Sequence, residues 1–297
     1  MHTPLLRLPR LFAAFSLLVT GLLAQAPAPT PPQIPQPSPT ATLKQRVGIT
    51  DIEITYSRPG LTGRKAFGMR EGKSIEAWGE VWRVGANNAT RVTFSTPVKV
   101  GGTEVPAGTY GLFAQLGEME WTVILSKMSK TWGAYAYDAK DDVVRVPVKV
   151  QKLTEPVETF TIDLNDIRDE SATLNLLWEN TRVAVPLAFD VVGPVSAQIE
   201  AYMASDAAKK PYLNAAMFYL DHHLDLTKAL AWADAAIAAQ PDGYYIIYRK
   251  AKIQAAMGDK AGAIATANKS MEMAKADKSP AGPEYVNLNE MLLASLK

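Results

Sequence analysis

The sequence predicts an α+β multi-domain protein, an antiparallel β-sandwich or jelly-roll-like domain followed by a short all-α tetratricopeptide-like domain. Three observations predict it. Apolar residues alternate with polar ones in short runs from Thr40 to Asp190, the period of half-buried strands. Gly, Pro and Asn punctuate those runs, as the corners of an antiparallel sheet require. Beyond Pro194 the period becomes helical and alanine abundant.

At the start, Arg7 and Arg10 precede an apolar run, Leu11–Ala24, and small residues surround Ala24-Gln25-Ala26. This order is that of a secretory signal peptide over residues 1–26, with cleavage after Ala24 competing with cleavage after Ala26. The run is shorter than the roughly 20 apolar residues that span a bilayer, so no membrane span is expected after signal cleavage. A periplasmic or secreted address follows. Residues 27–39 hold seven prolines, which favour extended polyproline chain, and residues 27–40 read as a linker.

In the β domain, residues 41–190, the alternating sets are Ile52, Ile54 and Tyr56; Val92 and Phe94; Trp121, Val123 and Leu125; Phe160, Ile162 and Leu164; Leu174, Leu176 and Trp178. Their spacing points to about nine or ten strands. Val98–Val105 reads as a hairpin, because Gly101-Gly102 accept the positive φ of a primed turn. Pro147 and Pro186 belong on edges or at bulges. Phe67–Glu80 is less regular and leaves room for a short helix.

In the helical domain, residues 195–297, Ala229 and Ala236 recur as Ala263 and Ser270, 34 residues on, with Leu230 matched by Ile264 and Ile237 by Met271, while Pro241 and Asp277 follow the two units at slightly different offsets. That is the tetratricopeptide period. The first unit departs from the pattern, with His223-Leu224-Asp225 at the turn, so two degenerate repeats and a final helix near Tyr285–Leu296 are expected. Two repeats are few for a free-standing array, which predicts packing on the β domain or on another chain.

Composition narrows the chemistry. Lys and Arg number 31 against 30 Asp and Glu, for a net charge of +1, so nucleic acid is not an expected partner. There is no cysteine, hence no disulfide or zinc-thiolate site. The three histidines are His2, His222 and His223, none of them in the β domain, which removes Ser-His-Asp, Cys-His and His-ligated metal chemistry there. His222-His223 on a helix point about 100° apart and do not converge on one ion. Asp138–Asp142 lacks the glycine and distal glutamate of a calcium loop and reads as a solvated turn. No Walker or dinucleotide glycine loop occurs, and no cofactor or metal is expected.

What remains is a set of planar donors and aromatic faces. Arg58, Arg64, Arg83 and Asn87, with Trp82, Trp132 and Tyr135, are the candidate ligand-binding residues. Arginine offers a rigid fork to carboxylate or phosphate, asparagine a donor and an acceptor, and indole or phenol a stacking face. Each has an architectural alternative: arginine before proline can brace a corner through backbone carbonyls, and Asn87-Asn88 suits a positive-φ turn. Tyr137 divides in the same way between core and surface.

The phrases Tyr56-Ser57-Arg58-Pro59, Gly63-Arg64 with Phe67-Gly68, Trp82-Arg83-x-Gly85-Ala86-Asn87 with Thr90, Ala107-Gly108-Thr109-Tyr110 and Trp132-Gly133-x-Tyr135 follow one another over about 150 residues. Residues 41–190 thereby resemble the domain-of-unknown-function family 2911, with Trp78-Gly79 where the family usually has Tyr-Gly. The resemblance implies a β-rich envelope domain and supplies no catalytic residues.

The leading expectation is a non-enzymatic binding protein that takes a small polar, glycan or peptide ligand on the β domain and a protein partner on the helical tail. The main alternative is a carboxylate-dependent glycoside hydrolase or lyase using Glu76 or Glu80 as acid or base. A structural or assembly role in the cell envelope is the third.

Overall fold

The computed structural model describes Pro32 and residues 34–297, and the expected signal peptide, residues 1–26, lies outside them. The β region begins with the long antiparallel pair β1 (Thr40–Val47) and β2 (Thr50–Ser57). Three two-residue strands follow, β3 (Phe67–Gly68), β4 (Glu76–Ala77) and β5 (Val81–Trp82), with a 3-10 turn at Arg70–Gly72 in the irregular segment. Then come β6 (Thr90–Phe94), the hairpin β7 (Val98–Val100) and β8 (Thr103–Val105), β9 (Gly108–Gln115) and β10 (Glu120–Ser126). Two long strands, β11 (Asp142–Arg168) and β12 (Ser171–Phe189), close the region.

The strands form a large antiparallel sheet of 10 strands in the order β1-β2-β6-β9-β10-β11-β12-β7-β8, with β5 also on β9, while β3 and β4 pair separately in parallel. Every apolar residue in the alternating sets named above is buried on the inner side. Trp82, Trp121 and Trp178, with Phe67 and Phe160, fill the centre, mostly edge to face at centroid separations of 4.8–5.9 Å. Trp82 and Trp178 are stacked at 5.8 Å.

Two prolines interrupt this sheet at one place. The β11–β12 ladder runs inward from Arg168–Ser171 to Val150–Val183 and stops. Continued in register it would set Pro147 opposite Pro186, and neither residue has an N–H to give. Beyond that point β11 stays with β10, through Thr122–Pro147 among other pairs, and β12 goes to β7. The β7–β8 hairpin turns on Gly101 and Gly102, at φ of +57° and +87°.

The C-terminal region holds six helices: α1 (Val192–Ala204), α2 (Tyr212–Asp221), α3 (Leu226–Ala239), α4 (Tyr244–Ala256), α5 (Lys260–Ala276) and α6 (Ala281–Ser295). Asp225 caps α3 by accepting from Thr227 and Lys228 N–H, and Asp259 caps α5 by accepting from Gly262 N–H. The preceding turns differ: Gly258 supplies the positive φ before α5, whereas His223 adopts it, at +53°, before α3. Ala229, Ala233, Ala263 and Ala267 are buried, letting α2 meet α3 and α4 meet α5 closely. Residues 37–297 form one compact unit, in which Val195 of α1 and Phe218 of α2 pack against the β core. Among the described residues no helix is long and apolar enough to cross a membrane.

Candidate functional site

Much of the repeated Arg, Gly and aromatic vocabulary is spent on bracing. Tyr56 Oη donates to Ile162 O at 3.3 Å and accepts from Ile162 N–H at 3.1 Å, tying β2 to β11. Arg58 donates from Nε to Phe160 O at 3.0 Å and from Nη2 to Thr161 Oγ1 at 2.8 Å. Arg64 closes its own turn through Leu61 O and Gly60 O, both at 2.9 Å. Tyr110 Oη donates to Pro106 O at 2.8 Å, with its ring lying over Gly108. Arg58 thus ties its corner to β11 and Arg64 closes its own turn, and the two are not gathered at one cleft. Trp82, a candidate stacking face, is fully buried with its indole N–H given to Gly85 O at 3.0 Å, so it has no face for a ligand.

The Trp82–Asn88 loop is held in a costly conformation. Val84, Gly85 and Asn87 have φ of +54°, +141° and +58°, and a β-branched residue in that region is a genuine outlier. Thr90 Oγ1 donates to Val84 O, and a Cβ on Gly85 would lie 2.8 Å from Ser57 O. The strain is therefore locked in by the neighbouring strand. Asn87 is exposed and its Nδ2 donates to Ser38 O at 3.3 Å and Ser57 Oγ at 3.4 Å.

Against this loop lies the segment after β10. Ala89 N–H donates to Thr131 O and Gly133 N–H to Asn87 O, both at 2.9 Å, and Asn88 bridges Trp132. Pairing here brings Arg83, Asn87, Trp132 and Tyr135 to one side of the domain. Trp132 and Tyr135 are stacked, 5.7 Å apart with planes 23° from parallel, yet 67% and 83% exposed. Gly133, at φ +70°, makes the stack possible, since a Cβ there would meet the Tyr135 ring at 2.6 Å.

A hollow opens on each side of the pair. One, of about 480 Å³, is lined by Tyr135, Arg83, Glu76, Glu80 and Arg70. Glu80 is ion-paired to Arg70 and exposed. Glu76 is half-buried, and burial pushes its carboxyl from 4.5 up to about 7, against the opposing pull of the Arg83 guanidinium. Arg83 Nε is buried without a protein acceptor. The second hollow, of about 460 Å³, is lined by Trp132, Asn88, Arg91, Lys130 and the hydroxyls of Thr40, Thr55 and Ser57.

Arg91 and Lys130 were not singled out from sequence. Arg91 carries a signal, since it alternates with buried Val92 on β6 and so must face outward beside Thr55. Lys130 carries none, because only the tertiary pairing of residues 131–133 with 87–89 brings it there. Glu76 and Glu80, the carboxylates of the alternative reading, lie on β4 and the turn that follows it, and both line the same hollow. Trp78 belongs elsewhere, in a smaller hollow of about 230 Å³ with Phe67 and Trp121. Tyr137 packs on Phe113 at 5.3 Å and donates to Asp142 at 2.6 Å, and burial with that hydrogen bond pushes its hydroxyl up to about 12.

His222 lies between the helices and the β11–β12 turn, 3.6 Å from Asp169 Oδ2 and 3.9 Å from Glu170 Oε2. Asp138–Asp142 forms a short capped 3-10 turn in which Lys140 pairs with Asp138 at 2.8 Å. Among the described residues no group of three or more His, Cys, Asp or Glu is placed to hold a metal ion.

Fold and site together define a β-rich domain with an outward aromatic pair set among polar hollows, followed by a helical region. Residues 38–187 match the family described as protein of unknown function (DUF2911), and the chain belongs to that family. No curated protein matches the chain.

Proposed function

We propose that this is an exported, non-enzymatic binding protein whose β domain takes a polar, glycan-like ligand across Trp132 and Tyr135. The observation that carries the reading is the exposed stacked pair with a polar hollow on each side. Aromatic faces left in water cost hydration free energy, and sugar rings present apolar C–H faces that cover them while hydroxyls reach the flanking Asn, Arg and Thr groups. The export step rests on Arg7, Arg10 and the apolar run Leu11–Ala24. In the same reading α2–α3 and α4–α5 are two tetratricopeptide-like units that offer a protein-binding surface, supported by the buried Ala229 and Ala263 and by the Asp225 and Asp259 caps, each pair 34 residues apart.

A thermal-shift screen of the full chain against neutral and charged oligosaccharides tests it, with Trp132→Ala and Tyr135→Ala alongside. A ligand at 100 times its Kd adds about 2.7 kcal/mol to stability, so a clear rise in Tm is expected for wild type and its loss in both variants. A rise that survives both substitutions rejects this site.

One observation favours a second reading, a carboxylate-dependent glycosidase or lyase: Glu76 is poised to exchange a proton near neutral pH beside Arg83. Incubation with the bound saccharide decides between them. Release of new chain ends by wild type but not by Glu76→Gln makes the protein an enzyme, and intact saccharide keeps it a binding module.

A further inference from the structure

We infer that the hollow beside Trp132 is an anion subsite, and that the ligand is an acidic saccharide whose ring lies on Trp132 and whose charged group lies between Arg91 and Lys130. This rests on the glycan reading above and specifies its chemistry.

Among the described residues neither Arg91 nor Lys130 makes an ion pair within 4.0 Å, although eight such Lys or Arg pairs occur elsewhere. No Asp or Glu lines their hollow. The Asn88 amide and the Thr131 hydroxyl, which also line it, make no hydrogen bond among the described residues. Two cations and two neutral polar groups thus face one space with nothing of opposite charge.

Across the aromatic pair the imbalance continues. In the hollow lined by Tyr135 the Arg70–Glu80 pair cancels, Arg83 keeps a buried Nε without an acceptor, and burial holds Glu76 toward its neutral form. A neutral sugar would use the aromatic faces and leave Arg83, Arg91 and Lys130 unsatisfied. A sugar bearing carboxylates or sulfates uses both, with charge-assisted hydrogen bonds from the arginine forks. The shared chemistry is an anionic group on a pyranose ring, and the source is separable by probe.

Isothermal titration of the full chain with four probes tests the inference: an oligogalacturonate, a sulfated dextran, a neutral dextran, and polyglutamate as a polyanion without sugar rings. The expected result is that one of the two acidic saccharides binds, that binding weakens with added salt, and that Arg91→Gln and Lys130→Gln each cost about fivefold and together more than tenfold. Preference for oligogalacturonate assigns a uronate, and preference for sulfated dextran a sulfate ester. Both side chains are exposed and unbonded, so the variants should keep the wild-type Tm. Equal binding of neutral dextran, unaffected by the substitutions, overturns the anion subsite and leaves the glycan reading intact. Polyglutamate binding as tightly as the saccharides overturns the saccharide class. Failure of all four probes with wild type removes the glycan reading and this inference with it.

Discussion

Glu76 sits in an environment unlike that of a free side chain. Its folded carboxyl titrates near 7 rather than at 4.5, so the folded state holds that proton more tightly than the unfolded chain does. The stability this contributes is fully present below pH 4.5 and is lost as pH rises toward 7, where an ionised group must stay half-buried. Glu76→Gln removes that loss. The variant is expected to be more stable than wild type at pH 8 by about 1–3 kcal/mol, at 1.36 kcal/mol per unit of displacement reduced for partial exposure, and to match it near pH 4.5. Urea unfolding at both pH values checks this; parallel curves for the two proteins would refute it. Gly133 offers a second test at this scale, because its φ of +70° and the Tyr135 ring 2.6 Å from any added Cβ both oppose a side chain. Gly133→Ala should cost roughly 1 kcal/mol of stability and abolish stacking of Tyr135 on Trp132, seen as a lost aromatic circular-dichroism signal.

At the scale of elements, the β7–β8 hairpin separates two effects that usually come together. Gly101 and Gly102 both have positive φ, but a Cβ on Gly101 would lie 2.3 Å from Val146 Cγ1, whereas one on Gly102 meets nothing within 4 Å. Gly102→Ala therefore carries the backbone cost alone, about 1 kcal/mol, and Gly101→Ala is expected to lose roughly 1–3 kcal/mol more as β7 is pushed off β11. Equal losses in chemical denaturation would mean that β11 yields freely. This hairpin and the alternating strands were legible in sequence because period two and paired glycines are local signals. The division of β11 between β10 and β12 was not, since it depends on the register of the β11–β12 ladder, which would set Pro147 opposite Pro186 from positions far apart in sequence. The candidate site was legible in the same uneven way. Trp132, Tyr135, Arg83 and Asn87 come together, but Arg58 and Arg64 have the same composition around them and serve corners, and Trp82 went to the core by strand alternation. Side-chain type announces what a residue can donate, and only the tertiary fold decides which carbonyl lies in front of it.

For the whole molecule the question is whether sheet and helices fold as one. Val191 is buried in the β core, and Gly48 is needed where it passes, since a Cβ there would lie 2.5 Å from Val191 Cγ2. Val195 and Phe218 continue that apolar contact from α1 and α2, and His222, its ring 4.3 Å from that of Phe218 and tilted by 44°, sits over the Asp169–Glu170 turn. In the proposed reading of α2–α5 as two repeat-like units, so short an array lacks the neighbours that make repeats stable alone, and the sheet that Val195 and Phe218 pack on takes the place of one. Unfolding should then be a single transition. Five of the six tryptophans lie in the β region, so indole fluorescence follows the sheet, while circular dichroism at the helix band follows α1–α6. The two signals are expected to coincide in urea, and Phe218→Ala to lower both midpoints together, for a loss of about 1–3 kcal/mol of stability at a partly buried ring. If the helix signal is lost first and the tryptophan midpoint does not move in the variant, the contact through Phe218 contributes nothing to the β domain, and the helices are an independently melting arm.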